Sequence, residues 1–150
     1  MTKFVSVIIP TRNRPEMLKE CLESLFNQSY PKNKYEIIVV DSSSEIDPKT
    51  IEVLKNKSPC QLIYLYQEPR GPAAARNFGI ENAKGEIVCF IDDDCIADED
   101  WVKNMVNSFN NENIGGVAGR LIPYKPQTLI EKYCARNISL NSVSYTHLTL

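Results

Sequence analysis

Histidine is almost missing from this chain of 150 residues, which has one, and its five cysteines, at positions 21, 60, 89, 95 and 134, form no C-x-x-C pair. Zinc sites are built from such groups at short spacings, so the sequence speaks against one. The odd count also suits no closed disulfide framework. Cys21 and Cys89 fall on apolar faces, where a buried free thiol is the simplest expectation, and the set implies a reducing compartment. Charge of one sign is scarce too: the net charge is −2, and no run of basic residues is present. That excludes the basic footprint of a nucleic-acid binder and a polybasic arm for an anionic membrane. No apolar stretch reaches the roughly 18 residues of a membrane-crossing helix. The N-terminal apolar run is short and leads straight to Pro10 and a charged loop, unlike a secretory signal. The expected location is therefore cytoplasmic, with membrane association of a full-length protein left open.

What the chain does have is an ordinary globular share of apolar residues, 43%, enough for one domain with a real core. Short β-rich runs alternate with helical periods. Residues 4–9 are a compact apolar run rich in β-branched side chains. Pro15 sits where a helix can begin, because the first-turn N–H it lacks is not needed there. Met17, Leu18, Cys21, Leu22, Leu25 and Phe26 then recur at the spacing of one helical face, and Tyr30-Pro31 helps stop the helix. Further strands are expected over 36–40, 62–66, 86–91 and 115–122, and helices over 48–57 and 73–83, with Gly85 as the stop of the latter. Asp98 is placed to cap a helix carrying Trp101, Val102, Met105 and Phe109. This order predicts an α/β fold: an open, mostly parallel sheet with helices on both faces. Strands that read as continuous apolar runs agree with burial on both sides. The domain is expected over 1–140. Residues 141–150 follow without a helix cap or a finished motif, which suggests C-terminal truncation or a tail not native to the domain.

In open α/β sheets, ligands bind beyond the carboxyl ends of the strands. Polar clusters beginning at Thr11, Asp41 and Asp92 each follow the last apolar residue of a strand, so three separated pieces should converge on one rim. The triplet Asp92-Asp93-Asp94 is the most informative of them. Adjacent carboxylates repel one another unless they are solvated or neutralised by a cation. Mg2+ and Mn2+ prefer carboxylate oxygens and often hold substrate phosphates as well. A solvated acidic turn or a capping cluster would give the same triplet; its position after a strand favours the ligand. Asp41 can accept hydrogen bonds from a ribose or a base, or cap the following serine turn. Thr11, Arg12, Asn13 and Arg14 offer groups for phosphate or ribose, or form a plain surface loop. Gly71 allows close backbone approach to a ligand, and Arg70 can reach an anion or a base edge. Arg76 suits a helix surface or a pairing with the triplet. Asp98 and Asp100 are read as capping and helix-dipole residues.

These residues together resemble family 2 glycosyltransferases of the GT-A fold. The resemblance rests on Ser6-Val7-Ile8-Ile9-Pro10-Thr11-Arg12-Asn13-Arg14, Leu22-Glu23-Ser24-Leu25 with Gln28-Ser29-Tyr30-Pro31, and Glu36-Ile37-Ile38-Val39-Val40-Asp41. It continues through Gly71-Pro72-Ala73-Ala74-Ala75-Arg76-Asn77-Phe78-Gly79 and Phe90-Ile91-Asp92-Asp93-Asp94. Each motif alone is weak; in this order and spacing they are specific, and they cover residues 4 to 122. The resemblance implies a Rossmann-like GT-A sheet and an inverting, metal-dependent transfer of sugar from a nucleotide-diphosphate donor, most commonly a UDP-sugar. It implies a nucleoside contact for Pro10, Thr11 and Arg14, a base or ribose contact for Asp41, and a nucleotide-site lining for Arg70 and Gly71. It assigns Mg2+ or Mn2+ to Asp94 with Asp92 as helper, and ribose to Asp93. The acceptor could be a glycan, a lipid-linked glycan or a protein.

One departure stands out. The family places its general base further along, in an acidic pair before a helix, and beyond Ile122 the only acid here is Glu131. No catalytic residue is therefore assigned; the base is expected beyond the chain end, and the chain is expected to bind donor and metal while transferring sugar poorly. Two other readings remain: a non-catalytic nucleotide-sugar-binding module, and a sugar nucleotidyltransferase. The second is disfavoured because the loop after the first strand has arginines but no glycine.

Overall fold

The computed structural model describes residues 2–109, 113–121, 127–130 and 132. Four strands, β1 (Val5–Thr11), β2 (Tyr35–Asp41), β3 (Gln61–Tyr66) and β4 (Ile87–Phe90), alternate with helices α1 (Pro15–Phe26), α2 (Pro48–Lys57), α3 (Pro72–Glu81) and α4 (Trp101–Ser108). Proline opens α1, α2 and α3. Its fixed φ pre-forms the first turn, where its missing N–H costs nothing. Asp47 caps α2 by accepting from the Lys49 amide.

All strand pairs are parallel, in the order β3-β2-β1-β4. The first two crossovers step outward from β1 to β2 to β3. The third carries the chain back past β1 to lay β4 on its other side. The carboxyl ends of β1 and β4 therefore flank the point where strand order reverses, which is where open sheets leave a crevice.

Both faces of the sheet are buried. On one, Ile8, Ile38, Val40 and Ala75 form a cluster against which Phe78, Ile63 and Leu65 pack. Ala75 and Phe78 come from α3, and Gly79 lets that helix come close: a Cβ there would lie 2.5 Å from Ile8 Cγ2. Val7, Ile9, Ile37 and Val39 alternate to the opposite face and are equally inaccessible. Helix α1 buries Leu18, Cys21, Leu22 and Leu25, each such aliphatic side chain contributing roughly 1.5–3 kcal/mol of transfer free energy. Met17, expected on the same face, is instead 49% exposed. It lies at the first turn of α1, on the edge of the stripe.

Two expectations are corrected. Gly85 does not stop α3, which ends at Asn82, whose amide bonds back to Gly79 and Ile80 carbonyls. Gly85 instead touches β1: a Cβ there would sit 2.4 Å from the Ser6 nitrogen. Its N–H and that of Lys84 donate to Ser6 Oγ at 2.8 and 3.2 Å, and Lys84 N–H also reaches the fully buried Glu36. Second, residues 115–121 form no strand; Gly116 makes one isolated bridge, and residue 122 lies outside the described residues. Two adjacent glycines give that segment little side chain to bury and a large entropy cost on ordering.

The chain divides into two compact units, 1–103 and 104–150, with the boundary inside α4. The expected tail at 141–150 and Glu131 lie outside the described residues. Among the described residues, no helix is long and apolar enough to cross a membrane.

Candidate functional site

Three loops leave the carboxyl ends of β1, β2 and β4, and hydrogen bonds stitch them together. The Ser42 amide donates to the Thr11 carbonyl at 3.0 Å. Asn13 adopts a left-handed φ of 55°, a conformation asparagine tolerates better than most residues. That turn lets its amide donate to Ser43 Oγ at 2.7 Å while its side-chain carbonyl accepts from the Ser44 amide at 3.2 Å. Thr11 Oγ1 donates to Asp93 Oδ2 at 2.8 Å and closes the gap between β1 and β4.

The acidic triplet sits on a turn closed by the Cys95 amide and the Asp92 carbonyl, 3.1 Å apart. Its members have different surroundings. Asp93 is buried and fixed by Thr11 and by Arg14 Nη1 at 3.3 Å. Asp94 is about half exposed and meets the same Arg14 nitrogen at 3.4 Å. Asp92, also about half exposed, accepts from Arg76 Nη2 at 2.6 Å. Two guanidiniums thus offset three carboxylates. At this exposure the pairs add little to stability, and what they set is where the carboxylates point.

Of the two roles considered for Asp41, the geometry shows the cap on the serine turn. Asp41 is buried; Oδ1 accepts from the Ser43 amide at 2.8 Å and from the Ser43 hydroxyl. Oδ2 accepts from Tyr64 Oη at 2.5 Å. Burial, then the Asp41 hydrogen bond and charge, push the Tyr64 phenol up, keeping it a donor. Removing that hydroxyl in Tyr64→Phe is expected to lower unfolding free energy by about 1.5–3 kcal/mol in a urea titration, the range for a hydrogen bond to a charged group. Unchanged stability would show that Asp41 does not depend on Tyr64.

A cleft of about 470 Å³ opens between these loops and the start of α3. Pro10, Thr11, Arg14, Gly71, Asp92, Asp93 and Asp94 line it, as the sequence expectation had grouped them. Arg70 is exposed and Asp41 is buried behind the wall; neither is among its lining residues, whereas their neighbours Ser42 and Pro69 are. Arg12 and Arg76 also face the cleft. Gly71 precedes α3 with φ +90° and nothing within 4 Å of where a Cβ would be, so its backbone lies open to the cavity. Tyr64 was missed from sequence, because its link to Asp41 appears only once the register of β2 and β3 is known.

The thiols behave as structural groups. Burial pushes Cys21 up to about 12, helped by neighbouring Cys95 and the triplet's charges, and burial alone does the same to Cys89. Among the described residues the cysteines are free, and no three carboxylate, thiol or imidazole groups converge as a ready-made metal cage. A hard cation that is shared with substrate phosphates needs only one or two carboxylates from the protein. Exposed, cleft-facing Asp94 and Asp92 meet that requirement.

A parallel sheet with an acid- and arginine-lined cleft at its switch point defines the class: an open α/β sheet whose cleft lies at the carboxyl edge of its strands. The chain belongs to glycosyl transferase family 2, whose model matches residues 6–146. Glycosyltransferase AglE of Haloferax volcanii is 38% identical over 119 residues, 79% of this chain and 39% of that protein. The mannosyltransferase PcManGT of Pyrobaculum calidifontis, solved in complex with GDP-Man and Mn2+, superposes with TM-score 0.73 at 29% identity, over 82% of this chain and 36% of that one. Staphylococcus aureus TarS 1–349, solved with UDP-GlcNAc, superposes with TM-score 0.64 at 29% identity, over 82% of this chain and 38% of that one. The fold is thus of GT-A type, and the chain spans less than two fifths of the length of these relatives.

Proposed function

We propose that this chain is the donor-binding part of an inverting, metal-dependent glycosyltransferase. Its donor is a nucleoside-diphosphate sugar and its acceptor a glycan, a lipid-linked glycan or a protein, in cell-wall or other polysaccharide synthesis. The observation that carries this reading is the convergence of Thr11, Arg14 and the acidic triplet on one cleft beside the exposed backbone of Gly71. The complexes of PcManGT with GDP-Man and Mn2+ and of TarS with UDP-GlcNAc support it.

In this reading Pro10, Thr11 and Ser42 form the floor under the nucleoside. Asp41, locked by Ser43 and Tyr64 one layer behind the cleft wall, stiffens that floor. Asp93, held by Thr11, faces the ribose. Gly71 admits the diphosphate close to the backbone, and Arg70, on the exposed side of that turn, is within the loop's reach of an anion. Asp94, with Asp92, would hold Mg2+ or Mn2+, which supplies positive charge where the diphosphate leaves. Arg14 and Arg76, already oriented by the carboxylates, add two cations to the same wall.

Titration calorimetry with UDP-, GDP- and dTDP-sugars, with Mn2+ or with chelator, tests this. At least one donor is expected to bind about tenfold tighter or more with Mn2+, a difference of about 1.4 kcal/mol. Equal affinity with and without metal for every donor removes the metal role; no binding of any donor removes the reading.

A further inference from the structure

Residues 91–100, which carry the acidic triplet, have no regular secondary structure. Their main-chain groups must find partners elsewhere, because an unpaired buried N–H or C=O is costly. They find them along α1 and the residues just after it. The Cys21 thiol donates to the Asp92 carbonyl at 3.6 Å. Ser24 Oγ accepts from the Ala97 amide at 3.0 Å and donates to the Cys21 carbonyl at 2.6 Å. Gln28 Nε2 donates to the Asp98 carbonyl at 2.7 Å, and its Oε1 accepts from the Val102 amide at 2.9 Å. The Ser29 amide donates to the Glu99 carbonyl at 2.7 Å. Positions 21, 24 and 28 recur at helical spacing, so one line of side chains follows the acid segment from the triplet to α4.

Gln28 is the centre of this line. It is 2% exposed, and its amide serves the Asp98 carbonyl of the segment and the Val102 N–H in the first turn of α4 at once. An alkyl side chain would leave both unpaired. A carboxylate would set an acceptor against the Asp98 carbonyl. Ser24 supports it: the Ser24 carbonyl accepts a second bond from Gln28 Nε2 at 3.3 Å, and its hydroxyl fixes Ala97.

We propose that Gln28 and Ser24 are positioning residues for the acid segment. They fix its backbone so that the half-exposed carboxylates of Asp92 and Asp94 meet a divalent cation and a nucleoside diphosphate in one geometry. Neither residue touches the ligand; each acts through main-chain atoms. The proposal rests on the metal-and-nucleotide reading of the triplet given above.

The test measures binding of UDP and GDP to the full chain, with Mn2+ and with chelator. In Gln28→Ala the Mn2+-dependent gain in affinity is expected to fall about tenfold or more, the usual cost of removing a group that orients a metal ligand. Affinity in chelator is expected to fall much less, because the loops after β1 and β2 are also held by bonds of their own. Ser24→Ala is expected to give a smaller loss of the same kind, and it decides the matter if Gln28→Ala does not fold. A Mn2+-dependent gain unchanged in the variants overturns the proposal. So does an equal loss with and without metal, the sign of a merely structural role. A chain whose original sequence shows no Mn2+ gain overturns the reading of the triplet, and the positioning role with it.

Discussion

Asp94→Asn is expected to abolish the Mn2+-dependent gain in nucleotide affinity, a loss of about tenfold or more when Mn2+ is present. The reason is chemical rather than structural. An amide oxygen carries no net charge, and a hard cation that shares phosphates with the protein relies on the carboxylates it has. The fold has little at stake: Asp94 is about half exposed, and its cationic partner is Arg14 at 3.4 Å. Thermal stability should therefore change by no more than about 0.5 kcal/mol, as for an ordinary surface substitution. Asp93→Asn makes a sharp contrast, because Asp93 is buried and accepts from Thr11 and Arg14, so stability and binding should fall together. Calorimetry paired with thermal melts separates the two patterns. An Asp94→Asn chain that keeps its metal-dependent gain would remove Asp94 from the site.

Gly85→Ala is expected to destabilise the fold severely while leaving the cleft's chemistry in place. A single methyl would lie 2.4 Å from the Ser6 nitrogen, 2.7 Å from the Ile87 carbonyl oxygen and 2.8 Å from Ser6 Oγ. Two of those atoms are strand backbone, so relief requires β1 and β4 to move apart at their amino ends. That movement would also break the bonds from Gly85 and Lys84 to Ser6 and Glu36, leaving the Ser6 hydroxyl, at 2.7 Å, as the donor to a carboxylate that is fully buried and whose Oε2 has no hydrogen-bond partner. Overpacking of a tight site costs about 1–3 kcal/mol, and the exposed polar partners add to it, so about 3 kcal/mol is the expected scale. For a chain of this size that lowers the melting temperature by roughly 6–12 °C. The site lies at the opposite end of the strands, so nucleotide affinity measured well below the melt should be retained. A melting temperature unchanged in Gly85→Ala would show that this contact is not tight in solution.

Element order and the convergence of the strand-end loops on one cleft were legible in the sequence for simple reasons. A strand buried on both faces must be apolar throughout, and Ile37-Ile38-Val39-Val40 is. A proline before an amphipathic period marks a helix start, as at Pro15 and Pro48. The reversal of strand order was not legible, because β4 reads the same whichever edge of the sheet it joins. Three further misreadings have physical causes. Gly85 looked like a helix stop because close approach and a left-handed turn leave the same residue in a sequence. Residues 115–121 carry apolar side chains on either side of a glycine pair, and the glycines prevailed. Tyr64 and Gln28 were silent because their partners, Asp41 and the backbone of residues 98 and 102, are set by register and by loop path. Of the expected site residues, Pro10, Thr11, Arg14, Gly71 and the triplet line the cleft, and Arg70 and Asp41 do not. Asp41 stands one layer behind the wall, since a side chain that caps its own turn faces back into the protein.

The reversal that sets β4 beside β1 also has a kinetic side. The Thr11–Asp93 hydrogen bond joins residues 82 apart in the chain, and the Ser6–Gly85 bond joins residues 79 apart. Contacts of such separation form late, because the closure entropy of the intervening chain must be met before they contribute anything. The pairing of β1 with β2 can precede them, so an incomplete chain can own a sheet and yet own no cleft. The cleft appears only when β4 has docked, so any molecule that fills it adds to the stability of the whole unit by mass action.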